Sequence, residues 1–412
     1  MEHLKLFNTH TSYIEYAGGG GMLRTNVSHC LEENELHYRP SIEVEYLTFI
    51  PLEDGTFSFT KSGFQYSLDE GETWKSLEAS ASTENVSVGT KVLWKASGLT
   101  ITEAEGIGRF SSSGQFDIRG NIMSLVNGDD FVDTDEISTN QFRTLFSGTP
   151  VVNSSKLLLP STALTESCYR IMFAYCTSLT RAPRLIATTL APNCYRSMFH
   201  GCESLIDAPQ LPSMTLADYC YVNMFRECKS LTTAPELPAT TLAQGCYGSM
   251  FDTCTSLMVA PELPAMTLAN NCYNKMFCDC TKLAIPPKLP SLEMKNSCYN
   301  SMFLRCVNLK VCPKLPAMTL ADVCYASMFE GCTSITIAPD LLALVLSYDC
   351  YWLMFAECRN LSYVKMMATD ISANGLSYWL RGVSQTGTIV KNSAATWTGN
   401  VPSGWKIETA SS

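Results

Sequence analysis

The chain has 412 residues, of which 46% are hydrophobic and 17% are charged. This composition excludes an intrinsically disordered protein and leaves room for two or more domains. The formal net charge of −10 argues against nucleic-acid binding, which needs a basic face. No run of about 18 apolar residues occurs, so we expect no membrane span.

Residues 1–40 are predicted to form an N-terminal leader or attachment arm. Within them, residues 11–17 fit a short helix that ends at four glycines, and residues 26–38 fit a hairpin. An attachment arm and an extra edge hairpin on the next domain are equally good interpretations. The first residues lack the apolar core of a signal peptide. We therefore expect a protein that is not exported by that route or that leaves the cell by lysis.

Residues 41–125 predict an all-β sandwich domain. Apolar and polar residues alternate in 56–60 and in 64–67, and turn-forming pairs that contain glycine separate the runs. Short alternating runs at such spacing are typical of a β-sandwich. Trp74 and Trp94 are expected in its core or at its rim, and a carbohydrate-binding platform is the alternative.

Residues 126–160 are predicted to be a junction and N-terminal cap. Residues 141–149 look like a degenerate copy of the repeat that follows, as expected for the first unit of a stack, which has no neighbour on one side. The junction also holds four acidic residues: Asp129, Asp130, Asp133 and Asp135. We expect them to form a solvated linker. A Ca²⁺ site is the alternative, but the 12-residue loop pattern is missing.

Residues 161–365 are predicted to be a solenoid. The motif Cys-Tyr-x-x-Met-Phe-x-x-Cys occurs eight times with a period of 26 residues, and we number these copies rungs 1–8. Their first cysteines are Cys168, Cys194, Cys220, Cys246, Cys272, Cys298, Cys324 and Cys350. A fixed period of about 20–50 residues indicates small units stacked on one another.

Each rung is predicted to combine a helix with a short strand. In rung 4, Leu242, Cys246, Met250 and Cys254 lie four residues apart, as on the apolar face of a helix. Two prolines in the second half of the rung exclude helix there and leave a short extended segment. The predicted core residues are Cys168, Tyr169, Met172, Phe173, Cys176, Cys246, Tyr247, Met250, Phe251 and Cys254. The predicted fold class is therefore an α/β solenoid, leucine-rich-repeat-like, with eight 26-residue strand–helix rungs after an all-β sandwich.

Residues 366–412 depart from the period and are predicted to be a C-terminal cap. Residues 376–383 fit a degenerate last helix, and residues 386–390 and 396–407 fit strands. Four tryptophans occur late in the sequence: Trp352, Trp379, Trp397 and Trp405. Some are expected in the core, and an exposed pair at this end would be a good glycan-binding site.

The cysteine pattern favours packing over chemistry. Sixteen of the 19 cysteines occupy the repeat positions, where a buried thiol behaves as a small apolar side chain. Disulfides between rungs and metal binding are the alternatives. Cys278-Asp279-Cys280 is the stretch closest to a metal motif, but it occurs once and has no histidine nearby. The five histidines lie outside any nucleophile or zinc motif, so we predict no metal, no cofactor and no enzyme activity.

Variable positions between the repeat letters are the candidate binding residues. One such position, which follows the second-half proline, carries Arg184, Gln210, Glu236, Glu262, Lys288, Lys314 and Asp340. If successive rungs stack in register, these side chains form a ladder along one face. A binding surface and an ordinary solvated face both fit this pattern.

The repeat resembles the BspA-type leucine-rich repeat, because Phe251, Cys254 and Leu257 match the Phe-x-x-Cys-x-x-Leu of that family. The resemblance covers roughly residues 141–390, and residues 64–71 resemble part of the β module often joined to these repeats. The family is common in Bacteroidetes surface proteins and in phages and prophages of gut bacteria. The resemblance implies adhesion and recognition, and it brings no catalytic residues.

These observations predict a non-enzymatic phage virion protein, either a tail-fibre component or another peripheral receptor-binding component. The solenoid would recognise a bacterial surface protein or glycan, residues 1–125 would contact other virion proteins, and a homo-oligomer is possible. A bacterial surface member should begin with a signal or a lipoprotein cysteine, and the lack of either favours the virion. The alternatives are a secreted or cell-surface bacterial adhesin, a purely structural virion component and a glycan-active enzyme.

Overall fold

The computed structural model describes residues 45–97, 106–372 and 374–410, together with the backbone of two short strands in the leader. These two strands, β1 (Ser12–Ile14) and β2 (Leu23–Thr25), pair antiparallel. The helix expected over 11–17 is therefore wrong at β1. The hairpin expected over 26–38 lies outside the described residues.

The part of the chain before the repeats folds into two β-sheets. Its strands are β3 (Leu47–Pro51), β4 (Phe57–Phe59), β5 (Phe64–Ser67), β6 (Lys75–Leu77), β7 (Val92–Ala96), β8 (Phe110–Ser112), β9 (Phe116–Asn121) and β10 (Val151–Leu158). Six of them form one sheet in the order β10-β9-β3-β7-β5-β6, and β4 pairs with β8 in the second. Only β10 joins its neighbour in parallel; the other pairs are antiparallel.

Aromatic side chains fill the space between the sheets and continue into the repeats. Phe49 packs against Phe57 and Phe110 with ring centroids 5.3 and 4.8 Å apart. Phe110 stacks on Phe146 at 5.7 Å, and Phe146 stacks on Phe173 of rung 1 at 5.1 Å. The core of the β domain and the core of the solenoid are therefore continuous.

The predicted helices of the rungs are absent, so the α/β solenoid with strand–helix rungs is wrong. Helical structure in the described part of the chain is limited to α1 (Ser124–Asn127) and a 3-10 turn at Gly128–Asp130. No helix found there is long and apolar enough to cross a membrane. The Cys-to-Cys half of each rung is instead a series of overlapping β-turns, which we call the turn chain.

Backbone hydrogen bonds alternate along the turn chain. In rung 1 the N–H of Arg170 donates to the carbonyl of Ser167 at 3.2 Å, which closes a β-turn. The N–H of Tyr169 donates instead to the carbonyl of Cys194 in the next rung, at 3.0 Å. Every second donor therefore leaves its own rung, and stacking satisfies the groups that a helix would bond internally.

A positive φ recurs every fourth residue of the turn chain. In rung 1 the values are 56° at Ser167, 61° at Ile171 and 61° at Tyr175, each at the third position of a turn, as type II turns require. The same positions in other rungs often hold asparagine, serine or glycine, as at Asn193, Ser197 and Gly201. Asparagine and glycine tolerate this conformation best.

The second half of each rung is extended and joins its neighbours through single parallel bridges. One column of bridges includes Val259 with Ile285, and another includes Thr241 with Thr267. Proline between these two positions removes an N–H donor, so the ladder stays short. Leu257 and Leu263, which lie on either side of this proline segment in rung 4, are buried in the core.

The repeated letters form columns of identical buried side chains, and all ten predicted core residues are buried. Tyrosine rings stack from Tyr169 to Tyr351 with centroids 5.6–6.0 Å apart. The second cysteine of each motif donates its thiol to a phenylalanine carbonyl of the preceding rung, as Cys254 does to Phe225 at 3.0 Å. The described cysteines are all unpaired thiols.

Atypical units close both ends of the stack. Residues 140–148 form a turn chain bonded to rung 1, for example from the N–H of Phe142 to the carbonyl of Cys168. At the other end, the helix expected over 376–383 is also wrong, because Tyr378 and Gly382 have positive φ and continue the turn pattern. Three parallel strands complete this end: β11 (Tyr363–Met366), β12 (Gly387–Lys391) and β13 (Trp405–Thr409).

Candidate binding surfaces

The seven variable residues lie on the extended half of the rungs and are all exposed. Six of them follow a bridge position by three residues, as Glu262 follows Val259 and Lys288 follows Ile285. Lys314 follows Val311, the equivalent position of rung 6, in the same way. Hydrogen bonds between consecutive turn chains hold all successive rungs in register, so these seven residues form a column with neighbours about 4.8 Å apart along the backbone. We call this column the charged ladder.

Two apolar columns, which the sequence analysis missed, accompany the charged ladder in rungs 4–7. The first, the β-branched column, lies three positions before the ladder and consists of Val259, Ile285, Val311 and Ile337. The second, the Met/Leu column, lies four positions after it and consists of Met266, Leu292, Met318 and Leu344. These side chains are 45–68% exposed. These columns could have been predicted from the sequence, because apolar residues recur at the same two positions of four consecutive rungs.

The middle of the charged ladder lacks internal ion pairs. Asp340 pairs with Lys365 at 2.9 Å. By contrast, the structure gives no hydrogen-bond or ion-pair partner among its described residues to the side chains of Glu236, Glu262, Lys288 and Lys314. Four charges therefore stay available to a binding partner, between two exposed apolar columns.

Three exposed aromatic side chains lie on the last two turn chains of the stack. Tyr348, Trp352 and Tyr378 are 58%, 40% and 65% exposed, and we call them the aromatic cluster. Trp352 and Tyr378 lie on adjacent rungs, since the N–H of Leu353 donates to the carbonyl of Ser377. The other late tryptophans, Trp379, Trp397 and Trp405, are buried, with indole N–H groups bonded to carbonyls at 2.7–2.8 Å.

A shallow cavity of about 460 Å³ opens beside one member of this cluster, Tyr378. Tyr378, Ser377, Arg381, Asn400 and Pro402 contribute to its walls. The guanidinium of Arg381 lies 6.0 Å from the ring of Tyr378. The cavity thus places an exposed aromatic face next to hydroxyl, amide and guanidinium groups.

Trp74, Trp94 and one of the four acidic candidates, Asp129, make internal contacts, whereas Asp130, Asp133 and Asp135 are exposed. Trp94 is buried, and the ring of Trp74 is covered by the ammonium of Lys95 at 4.2 Å. Lys95 also pairs with Asp129 at 2.8 Å, and the hydroxyl of Tyr46 donates to the same carboxylate. Neither Trp74 nor Asp129 is thus available as an open platform or cation ligand.

Asp252, Cys278 and Asp279 bring three potential metal-ligand atoms within 4.8 Å of one another. Two guanidinium groups neutralise this cluster: Arg305 pairs with Asp279 at 2.5 Å, and Arg226 lies 3.3 Å from Asp252. Burial and the two nearby carboxylates raise the pKa of the Cys278 thiol, which opposes the thiolate that a metal needs. The arrangement favours an ion-pair network between rungs.

No protein-family model matches the chain, and no curated protein matches it.

Proposed function

We propose that this chain is a non-enzymatic recognition protein whose solenoid binds a bacterial surface glycan at the aromatic cluster. The observation that carries the proposal is the combination of three exposed aromatic side chains with an adjoining polar cavity at one end of the stack. Among described residues, Tyr175 is the only other aromatic ring exposed to this degree.

The chemistry of the cavity suits a sugar. Aromatic rings are apolar bodies that stay accessible at binding surfaces, and the faces of sugar rings present C–H groups to such a surface. Around Tyr378, the side chains of Ser377, Arg381 and Asn400 provide donors and acceptors for hydroxyl groups. A glycan would then gain both stacking and hydrogen bonds.

We further propose that the protein is a peripheral virion component, as part of a tail fibre or as a receptor-binding component. The resemblance of the repeat to BspA-type proteins supports this role, since such repeats occur in phages of gut bacteria. The β domain lies beside rung 1, where Asn153 of β10 pairs with Arg181. Attachment to other virion proteins through residues 1–125 would leave the aromatic cluster at the free end.

Glycan binding is tested with purified capsular polysaccharides and lipopolysaccharides of gut Bacteroidetes on an array. We expect the wild-type protein to bind at least one of them, and Trp352→Ala with Tyr378→Ala to weaken that binding about tenfold or more, because each aromatic contact contributes on the order of 1 kcal/mol. Tyr175→Ala, which removes an exposed ring from rung 1, is the matched control. Equal binding by the double variant would refute the assignment of the site.

A cell-surface adhesin of the producing bacterium and a purely structural virion component are the competing roles. Mass spectrometry of purified virions distinguishes the adhesin from a virion component, because an adhesin would be missing from particles and present on cells. Adsorption to host cells of virions that carry the Trp352→Ala and Tyr378→Ala variant distinguishes a receptor-binding role from a purely structural one. Unchanged adsorption would leave a structural role.

A further inference from the structure

The order of charges along the ladder is self-complementary. Rungs 3 and 4 carry Glu236 and Glu262, and rungs 5 and 6 carry Lys288 and Lys314. Reversal of the ladder end to end therefore exchanges negative for positive at each of the four positions. A surface with this property matches a second copy of itself that runs in the opposite direction.

From this pattern we infer that the charged ladder and its two apolar columns form an isologous interface with a second copy of the chain. The two-fold axis would cross the ladder between rungs 4 and 5, perpendicular to the stack. In a two-fold interface each contact occurs twice with the roles exchanged. Glu262 would then meet the partner subunit's Lys288, and Glu236 would meet the partner subunit's Lys314.

The apolar columns satisfy the same symmetry. An axis at this point places Val259 against the partner's Ile285, and Met266 against the partner's Leu292. Both contacts join exposed apolar side chains, so association would bury surface that water now covers. The apolar contacts would contribute affinity, and the ladder charges would fix the register.

Other arrangements of the same face are opposed by charge. A two-fold axis along the stack would place Glu262 against the partner's Glu262 and Lys288 against the partner's Lys288. A shift of the perpendicular axis by one rung, to between rungs 5 and 6, would again set like charges together. Like charges at an interface cost several kcal/mol, so only the axis between rungs 4 and 5 gives four opposite pairs.

The interface does not depend on the glycan proposal, because it uses the extended half of the rungs. At rung 2, Asp207 would face the partner's Ile337, which limits favourable contact to the central rungs. We therefore expect a dimer that dissociates on dilution. Sedimentation velocity of the full chain over about 1 to 100 µM covers the affinities usual for a modest interface.

The experiment uses two single charge reversals, Lys288→Glu and Glu262→Lys. Each variant alone sets like charges against each other at both symmetric pairs, so we expect dimerisation to weaken on the order of a hundredfold. An equimolar mixture of the two variants restores opposite charges at both pairs and should form a heterodimer. Lys275→Glu makes the same charge change on the turn chain of rung 5 and should leave the dimer intact.

Three results would overturn the inference. A wild-type chain that stays monomeric over the whole range would exclude the interface. A dimer that survives Lys288→Glu would have to use another face of the molecule. Failure of the mixed variants to associate, while the wild type does, would show that Glu262 and Lys288 do not face each other.

Discussion

At the scale of single residues, the two cysteines of the motif are chemically different although both are buried. Cys254 donates its thiol to the carbonyl of Phe225 at 3.0 Å. For Cys246 the structure gives no such acceptor among the residues it describes, and burial raises the pKa of its thiol to about 12. Cys246 is therefore an apolar filler, whereas Cys254 also links adjacent rungs.

Serine substitution should separate these two roles. Cys254→Ser keeps a donor for the Phe225 carbonyl. Cys246→Ser instead buries a hydroxyl group at a site where the described residues offer the thiol no hydrogen-bond acceptor. An unsatisfied buried polar group costs about 1–3 kcal/mol, so we expect Cys246→Ser to lower the free energy of unfolding by that much more than Cys254→Ser. Urea unfolding measures both, and equal losses would contradict the distinction.

At the scale of elements, the period of the rung and its buried residues could be predicted from the sequence, but its backbone conformation could not. The reason is that cysteine, methionine and cysteine recur at intervals of four, as at Cys246, Met250 and Cys254. A helix buries residues at this spacing, and so does a series of turns that repeats every four residues. The two backbones differ in that the turn chain donates hydrogen bonds to the next rung. These bonds join residues 25 apart, such as Tyr247 and Cys272, so a local sequence pattern does not reveal them.

A signal for the turn chain was present in the letters between the core positions. Asn271, Ser297 and Asp349 occupy the first positive-φ position of their turn chains. Residues of this kind are poor in helix interiors and tolerate the left-handed region. The aromatic cluster was partly predictable from its late tryptophans, but which of them is exposed depends on packing at the C-terminal cap.

Val323 gives a direct test of the turn chain. It has a φ of 60°, which is unfavourable for a β-branched residue, whereas two rungs carry asparagine at the equivalent position. We expect Val323→Asn to raise the free energy of unfolding by about 1 kcal/mol. Val222→Asn, at a position without positive φ, should give no such gain. A helix at this point would make both changes neutral or unfavourable.

At the scale of the whole molecule, the stacked thiols and phenols predict a sharp limit of stability in alkali. Burial raises the pKa of Cys246 from 9.0 to about 12 and raises that of Tyr247 above 10.0, and the other motif copies share the direction. The stability that these groups contribute is fully present at a pH below their pKa in the unfolded state. It is lost as the pH rises towards and through their higher pKa in the folded state.

The loss should therefore begin near pH 9, where unfolded thiols ionise. At about pH 10 each thiol held neutral costs about 1.4 kcal/mol, so sixteen of them cost on the order of 20 kcal/mol, more than the usual stability of a domain. We expect unfolding between about pH 9 and 10, followed by circular dichroism and by tyrosinate absorbance. A fold that survives well above this range would mean that the thiols are not held neutral in the stack.

The hydrogen bonds that leave each turn chain have a consequence for how the protein can change in length. Every rung offers donors to the next rung and acceptors to the previous one at the same positions, so excision of one 26-residue unit leaves two surfaces that still match. The distance between the β domain and the aromatic cluster can thus vary in steps of about 4.8 Å through gain or loss of whole units. We therefore expect homologous chains to differ in length by whole 26-residue units.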